Sequence, residues 1–260
     1  IAEVEETNLG GQAMLDAFYD AWQCWHTCSL CGQRYHGVVL CAYSWACWKT
    51  YVGRPETDKL RRAAMGVLGS GFSAAENYED ALTVREAELA TMRRFGASER
   101  NILAVQGSLA ITYGSLGRKE EALQMRRDVY SGWLELFGEE HEDTLREASN
   151  YAAALGKLRR FEEAKSLLRR TLPVARRVLG ENHVEALKLR WTYAETLYKD
   201  GGATIDDLRE AVTTFEDMER TSRRVLGGAH PITTGIEKDL QIARAALRVR
   251  EPSPGSASSS

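Results

Sequence analysis

Four residues near the N-terminus have the types and spacing to hold a metal ion. Cys28-Ser-Leu-Cys31 is a C-x2-C pair, the commonest way for one loop to offer two thiolates to a single zinc. His36 and Cys41 extend it to C-x2-C-x4-H-x4-C. All five cysteines, Cys24, Cys28, Cys31, Cys41 and Cys47, crowd into 24 residues beside four of the six tryptophans. An odd count in one stretch reads as metal-related or reduced thiols, not as a secreted disulfide scaffold. The compartment expected from this is reducing and cytoplasmic. A plainer reading makes Cys24, Cys41 and Cys47 small buried apolar residues beside Trp45 and Trp48.

Enzymatic constellations are missing from the sequence. Gly156-Lys157 is followed by Leu158 and lacks the upstream glycine of a phosphate loop, and neither G-x-S-x-G nor H-E-x-x-H occurs. The chain as given therefore has no expected catalytic residue. His141, His183 and His230 recur at one position of a repeat, which assigns them to an inter-repeat turn. The net charge of −3 gives no general pull toward nucleic acid or anionic lipid. The longest apolar run, Val38 to Trp48 interrupted by Ser44, is too short to span a bilayer. No secretory signal opens the chain, and a start at Ile1 is expected of a fragment.

The elements that must position any site are announced by a period. Phe95-Gly96, Phe137-Gly138 and Leu179-Gly180 stand 42 residues apart, and Leu226-Gly227 follows 47 later, after an insertion around Gly201-Gly202-Ala203. Each unit reads as two helices. Ala122, Met125, Val129, Tyr130, Trp133 and Phe137 fall on one face of the second helix, as do Ala164, Leu167, Thr171, Leu172, Ala175 and Leu179. The glycine after each should stop the helix. Small residues at Gly69/Ala81, Ala110/Ala122, Ala152/Ala164 and Ala194/Ala211 mark helix crossings. Pro173 should kink its helix by removing one backbone hydrogen bond. The pattern predicts an all-α fold: a right-handed α-solenoid of antiparallel helix pairs, about four repeats of 42 residues plus a capping helix. In the last unit Gln241 replaces the crossing alanine, which suits a cap. Three segments are expected: 1–52 rich in Cys and Trp, 53–250 repetitive, and 251–260 a disordered Ser/Pro tail.

Ser108-Leu-Ala-Ile-Thr-Tyr113 with Gly117-Arg-Lys-Glu-Glu-Ala122 resembles the tetratricopeptide repeat, as do Asn150-Tyr-Ala152 with Arg160-Phe-Glu-Glu-Ala164 and Asn77-Tyr-Glu-Asp-Ala81. The 42-residue length and the phrase ending His230-Pro231 look like the kinesin light chain type. The resemblance implies a scaffold or adaptor that binds a protein or peptide segment in a concave groove lined by the first helix of each unit. It places Ala104, Gly107, Ile111, Gly114 and Ser115 there, then Arg146, Ser149, Ala153, Gly156 and Lys157, then Lys188, Trp191, Glu195, Tyr198 and Lys199. Four basic residues against one acidic residue imply an acidic or phosphorylated ligand, with Trp191 and Tyr198 as an aromatic anchor.

The cysteine segment carries two further resemblances. The spacing of Cys28, Cys31, His36 and Cys41, with Gly32, is similar to a retroviral-type zinc knuckle, although Ser29, Tyr35 and apolar Val38-Val-Leu40 depart from it and argue against nucleic acid. Trp22 to His36 resembles the end of a RING variant (RING-CH-type) domain, with Ala2–Asp20 as its intervening helix and loop. That implies a remnant of a ubiquitin ligase whose repeats recruit substrate. The remnant would hold no cofactor, zinc belonging only to an intact parent chain.

Overall fold

The computed structural model describes residues 22–251; the acidic stretch Ala2–Asp20 and tail residues 252–260 lie outside the described residues. The described residues contain ten α-helices and no strand, and nine of the helices run between Lys59 and Arg250 as the repeat arithmetic requires. The chain divides into two compact units, one ending at Arg118 and one beginning at Lys119.

The first unit holds α1 (Gly37–Tyr51), α2 (Lys59–Ala74), α3 (Tyr78–Arg94) and α4 (Glu99–Ser115), each packed on the next. Helix α1 carries Cys47 and Tyr51 into a buried cluster with Leu60, Ala64 and Val67 of α2. Asp58 caps α2, its carboxylate accepting from the N–H groups of Leu60 at 2.7 Å and Arg61 at 3.2 Å.

The second unit holds α5 (Lys119–Phe137), α6 (Glu142–Lys157), α7 (Phe161–Leu179), α8 (Val184–Lys199), α9 (Ile205–Val225) and α10 (Pro231–Arg250). Sequential neighbours pack together, and α6 also touches α8, as α8 touches α10. This is a stack of helix pairs: first helices α6, α8 and α10 lie side by side, with second helices α7 and α9 between them in sequence. Its core contains the crossing residues Ala152, Ala164, Ala194 and Ala211, all fully buried, with Leu168, Leu197, Phe215 and Ile236. Gln241 is exposed on α10, while Ile236, Leu240 and Ala243 face the core, as a terminal cap requires.

The stop and start of each unit repeat in atomic detail. Gly96, Gly138, Gly180 and Gly227 all have positive φ, from 67° to 88°. Gly180, at φ 83° and ψ 159°, sits where only glycine is comfortable. The three recurring histidines are helix N-caps. His141, His183 and His230 accept, through Nδ1, from the N–H groups of Asp143, Glu185 and Ile232 at 3.2, 3.3 and 3.2 Å. Ties between turns recur as well: Arg177 donates to Glu140 at 2.6 Å and Arg224 to Asn182 at 3.3 Å.

Two irregularities resolve locally. The insertion forms a turn in which Thr204 and Asp207 build a capping box for α9, and Arg250 of α10 donates to the carbonyls of Gly201 and Ala203. Pro173 sits in the interior of α7, which continues through it as one 19-residue helix.

Candidate functional site

Between α6 and α8 the first helices leave a cleft of about 210 Å³. Its base is built from Ala152, Ala153 and Gly156, small residues that let the neighbouring helix approach without filling the space. Adding a Cβ at Gly156 would meet nothing within 4 Å. Phe161, Thr192 and Thr196 form the walls, and Lys157, Lys199 and Glu195 stand at the mouth. Ser149 lies buried beside this cleft, its hydroxyl 3.3 Å from that of Thr192.

The expected groove residues divide by what already engages them. Lys199 pairs with Glu195 one turn earlier, and Lys188 with Glu185 at 2.8 Å. Arg146 pairs with Asp143 and approaches Glu147 at 3.7 Å. Lys157 is exposed and has no ion-pair partner among the described residues. The expected excess of four cations over one acid is therefore mostly cancelled within the helices, and the net positive charge at the cleft is carried by Lys157.

The aromatic pair is committed elsewhere, which corrects its assignment as a free anchor. Tyr198 is only 9% exposed, and its hydroxyl donates to Asp239 of α10 at 3.0 Å. Burial, reinforced by that carboxylate, pushes the phenol far above its ordinary value. The Trp191 indole donates to the other Asp239 oxygen at 2.6 Å, and a Cβ at Gly235 would lie 2.2 Å from its ring. Gly235 is thus the seat on which Trp191 lies, and the space between α8 and α10 is filled where that between α6 and α8 is open. Asp239 was not legible as this tie because one carboxylate on a charged helix resembles any solvated residue.

The four expected zinc ligands do not converge. Among the described residues no three His, Cys, Asp or Glu side chains form a metal-holding group. His36 is the N-cap position of α1, and Cys41, one turn into that helix, packs against the cluster of Leu68, Phe72 and Ala81. Helix formation from Gly37 onward carries Cys41 toward α2, which breaks up the knuckle arrangement. Cys28 and Cys31 do share a turn: Gly32, with φ 68°, donates its N–H to the Cys28 carbonyl at 2.9 Å. Backbone N–H groups of Cys31 and Leu30 hold the Cys28 thiol below its ordinary value, whereas burial pushes Cys47 up to about 12.

With this geometry in view, comparison with known proteins is decisive for the repeats. The family model described as the tetratricopeptide repeat matches residues 102–143 and 145–185. These two stretches are tetratricopeptide repeats. No curated protein matches the chain. Among solved structures, a candidate kinesin light chain of Podosopora anserina, with nearly identical TPR-like repeats, is 21% identical. It covers 76% of this chain and 90% of its own, with a TM-score of 0.61. BtubC (BKLC) from P. vanneervenii is 16% identical over 85% of this chain and 95% of its own, TM-score 0.57. Rap protein is 14% identical over 82% and 60%, TM-score 0.51. The fold is thus that of kinesin light chain-like tetratricopeptide proteins. In their terms the cleft lies between the first helices of successive repeats, and the second repeat match ends just inside α8. The RING-variant resemblance gains no match from these comparisons. No described helix is long and apolar enough to cross a membrane.

Proposed function

We propose that this chain is a protein-interaction scaffold that holds an acidic peptide segment along the first helices of its second unit. The observation that carries this reading is the α6–α8 cleft, with a small-residue base and Lys157 uncommitted at its mouth. An anionic side chain entering there meets a cation that need not first be freed from a carboxylate, so its attraction is not spent on exchange. The hydroxyls of Thr192 and Thr196 are bonded to Lys188 and Thr192 carbonyls, which leaves the walls mainly apolar. Support also comes from Rap protein, whose similar fold is seen complexed with Competence and Sporulation Factor. A cytoplasmic location belongs to this reading, drawn from the five free thiols.

The test is binding of matched acidic and basic peptide arrays to the wild type, to Lys157→Glu and to Lys188→Glu. Acidic peptides should bind preferentially and lose roughly tenfold, about 1.4 kcal/mol, in Lys157→Glu. Lys188→Glu should have a smaller effect because Glu185 already offsets that charge. Equal affinity for both arrays, unmoved by Lys157→Glu, overturns the acidic-ligand reading. A second reading, a ligase remnant whose repeats recruit substrate, draws on the Cys28–Cys31 turn. Two thiols cannot complete a zinc site, so this reading needs further C-x2-C and H-x2-C pairs preceding Ile1 in a parent sequence.

A further inference from the structure

A second cavity in the same unit, of about 150 Å³, lies between α5, α6 and α7. Leu134 and Val174 give it an accessible apolar wall, with the almost fully buried Leu145 and Ala148 behind it. Thr144 and Thr171 also line it, but their hydroxyls are bonded to the carbonyls of Trp133 at 3.2 Å and Leu167 at 2.9 Å. Their methyl groups are what remains uncommitted. The other polar lining groups are Tyr130, Glu139 and Arg170. Glu139 and Arg170 are exposed, and neither has an ion-pair partner among the described residues. A space of this size can take a benzene-sized guest, ~150 Å³ being enough.

The repeat supplies an internal comparison. Forty-two residues after Ala148 the chain has Arg190, which is only 7% exposed. The charged groups that act on Arg190 are Arg176, Glu181 and Asp217. These occupy the repeat positions of Leu134, Glu139 and Arg170. One repeat on, then, a buried arginine stands at the position that Ala148 holds beside this cavity.

We propose that the α5–α6–α7 cavity binds a free aliphatic α-amino acid as its zwitterion. Its carboxylate meets Arg170, its ammonium meets Glu139, and its side chain rests on Leu134 and Val174, above Leu145 and Ala148. One cation and one anion at the rim of a single small apolar cavity match a ligand that carries both charges on one carbon and a hydrocarbon branch beside them. This site shares no lining residue with the α6–α8 cleft and does not depend on the peptide reading.

The experiment is ligand-detected NMR and calorimetry on the full chain with L-leucine, L-leucinamide, N-acetyl-L-leucine and N-acetyl-L-leucinamide. Leucine should bind at millimolar concentration, each singly blocked analogue should bind at least several-fold more weakly, and the doubly blocked one not measurably. Ala148→Arg should abolish leucine binding while the chain stays folded, because the next repeat already accommodates arginine there. Arg170→Gln, a surface change, should weaken leucine and leave leucinamide unchanged. Absence of leucine binding to the wild type overturns the proposal. So does leucine binding that survives both substitutions, which would place it elsewhere. Equal binding of N-acetyl-L-leucinamide would also overturn it, making the cavity a socket for a partner protein's side chain.

Discussion

At the scale of single residues, the histidines show how one side chain can serve as repeat punctuation. An imidazole accepting at Nδ1 replaces the usual Ser or Asp cap, and it does so at His141, His183 and His230 alike. His183→Ala should therefore cost about 1 kcal/mol, and His183→Asn should recover most of it; urea titration of both variants checks this. Glu88 behaves differently. It is 5% exposed on α3, one carboxylate oxygen has no hydrogen bond, and Arg85 one turn away is nearly as buried. Burial pushes its carboxyl from 4.5 up to about 7, with Arg85 opposing the rise. The folded state thus holds a proton that the unfolded chain releases above 4.5, so the stabilisation is complete below that pH and is lost as pH climbs through about 7. Glu88→Gln should flatten the dependence of the melting temperature on pH between 5 and 8. An unchanged slope would mean that another group controls it. The lysine partners were within reach of sequence reading, since Glu185/Lys188 and Glu195/Lys199 have helical pairing spacings. Tyr198 was not, because groove position alone does not reveal that Asp239 waits on the next first helix.

Helices pair here by one rule with a telling exception. Arg126 of α5 donates to Glu147 of α6 at 2.8 Å, the two side chains only 10% and 8% exposed. One repeat later the same two positions are Leu168 and Leu189, both fully buried. A hydrophobic solution to this contact therefore already exists in the chain. Arg126→Leu alone should lower stability by up to roughly 3 kcal/mol, since Glu147 loses its buried partner on one oxygen and keeps only Asn150 at 3.2 Å and Arg146 at 3.7 Å on the other. The double variant Arg126→Leu, Glu147→Leu should regain most of the loss, and failure to regain it in chemical denaturation would show that the two repeats are spaced differently at this point. The helices themselves were readable from period, stop glycines and small crossing residues, because those features are local. The exchange of an ion pair for two leucines was not, since a buried arginine and an exposed one look alike until a neighbour is placed beside them. Pro173 is a local signal of the same kind, and α7 spans it without ending.

For the molecule as a whole, the important fact is that within each unit the helices that pack closely together are one or two places apart in sequence. Energetic coupling should be correspondingly short-ranged. Leu240→Ala on α10, a loss of buried volume costing about 2–5 kcal/mol, should speed amide hydrogen exchange in α8, α9 and α10. Helices α5 and α6 should keep their protection; a uniform loss across the second unit would instead mark it as one cooperative block. The same short reach has a consequence for synthesis. Because the helices that pack most closely in a unit are neighbours in sequence, the search for native partners is brief. A nascent chain emerging from the ribosome could complete α6 against α5 while α10 is still untranslated, and the ties made by the last helix, Trp191 and Tyr198 to Asp239 and Arg250 to the carbonyls of Gly201 and Ala203, form at the end. Stalled translation complexes of increasing length, probed by limited proteolysis, should gain protection in steps, one helix at a time.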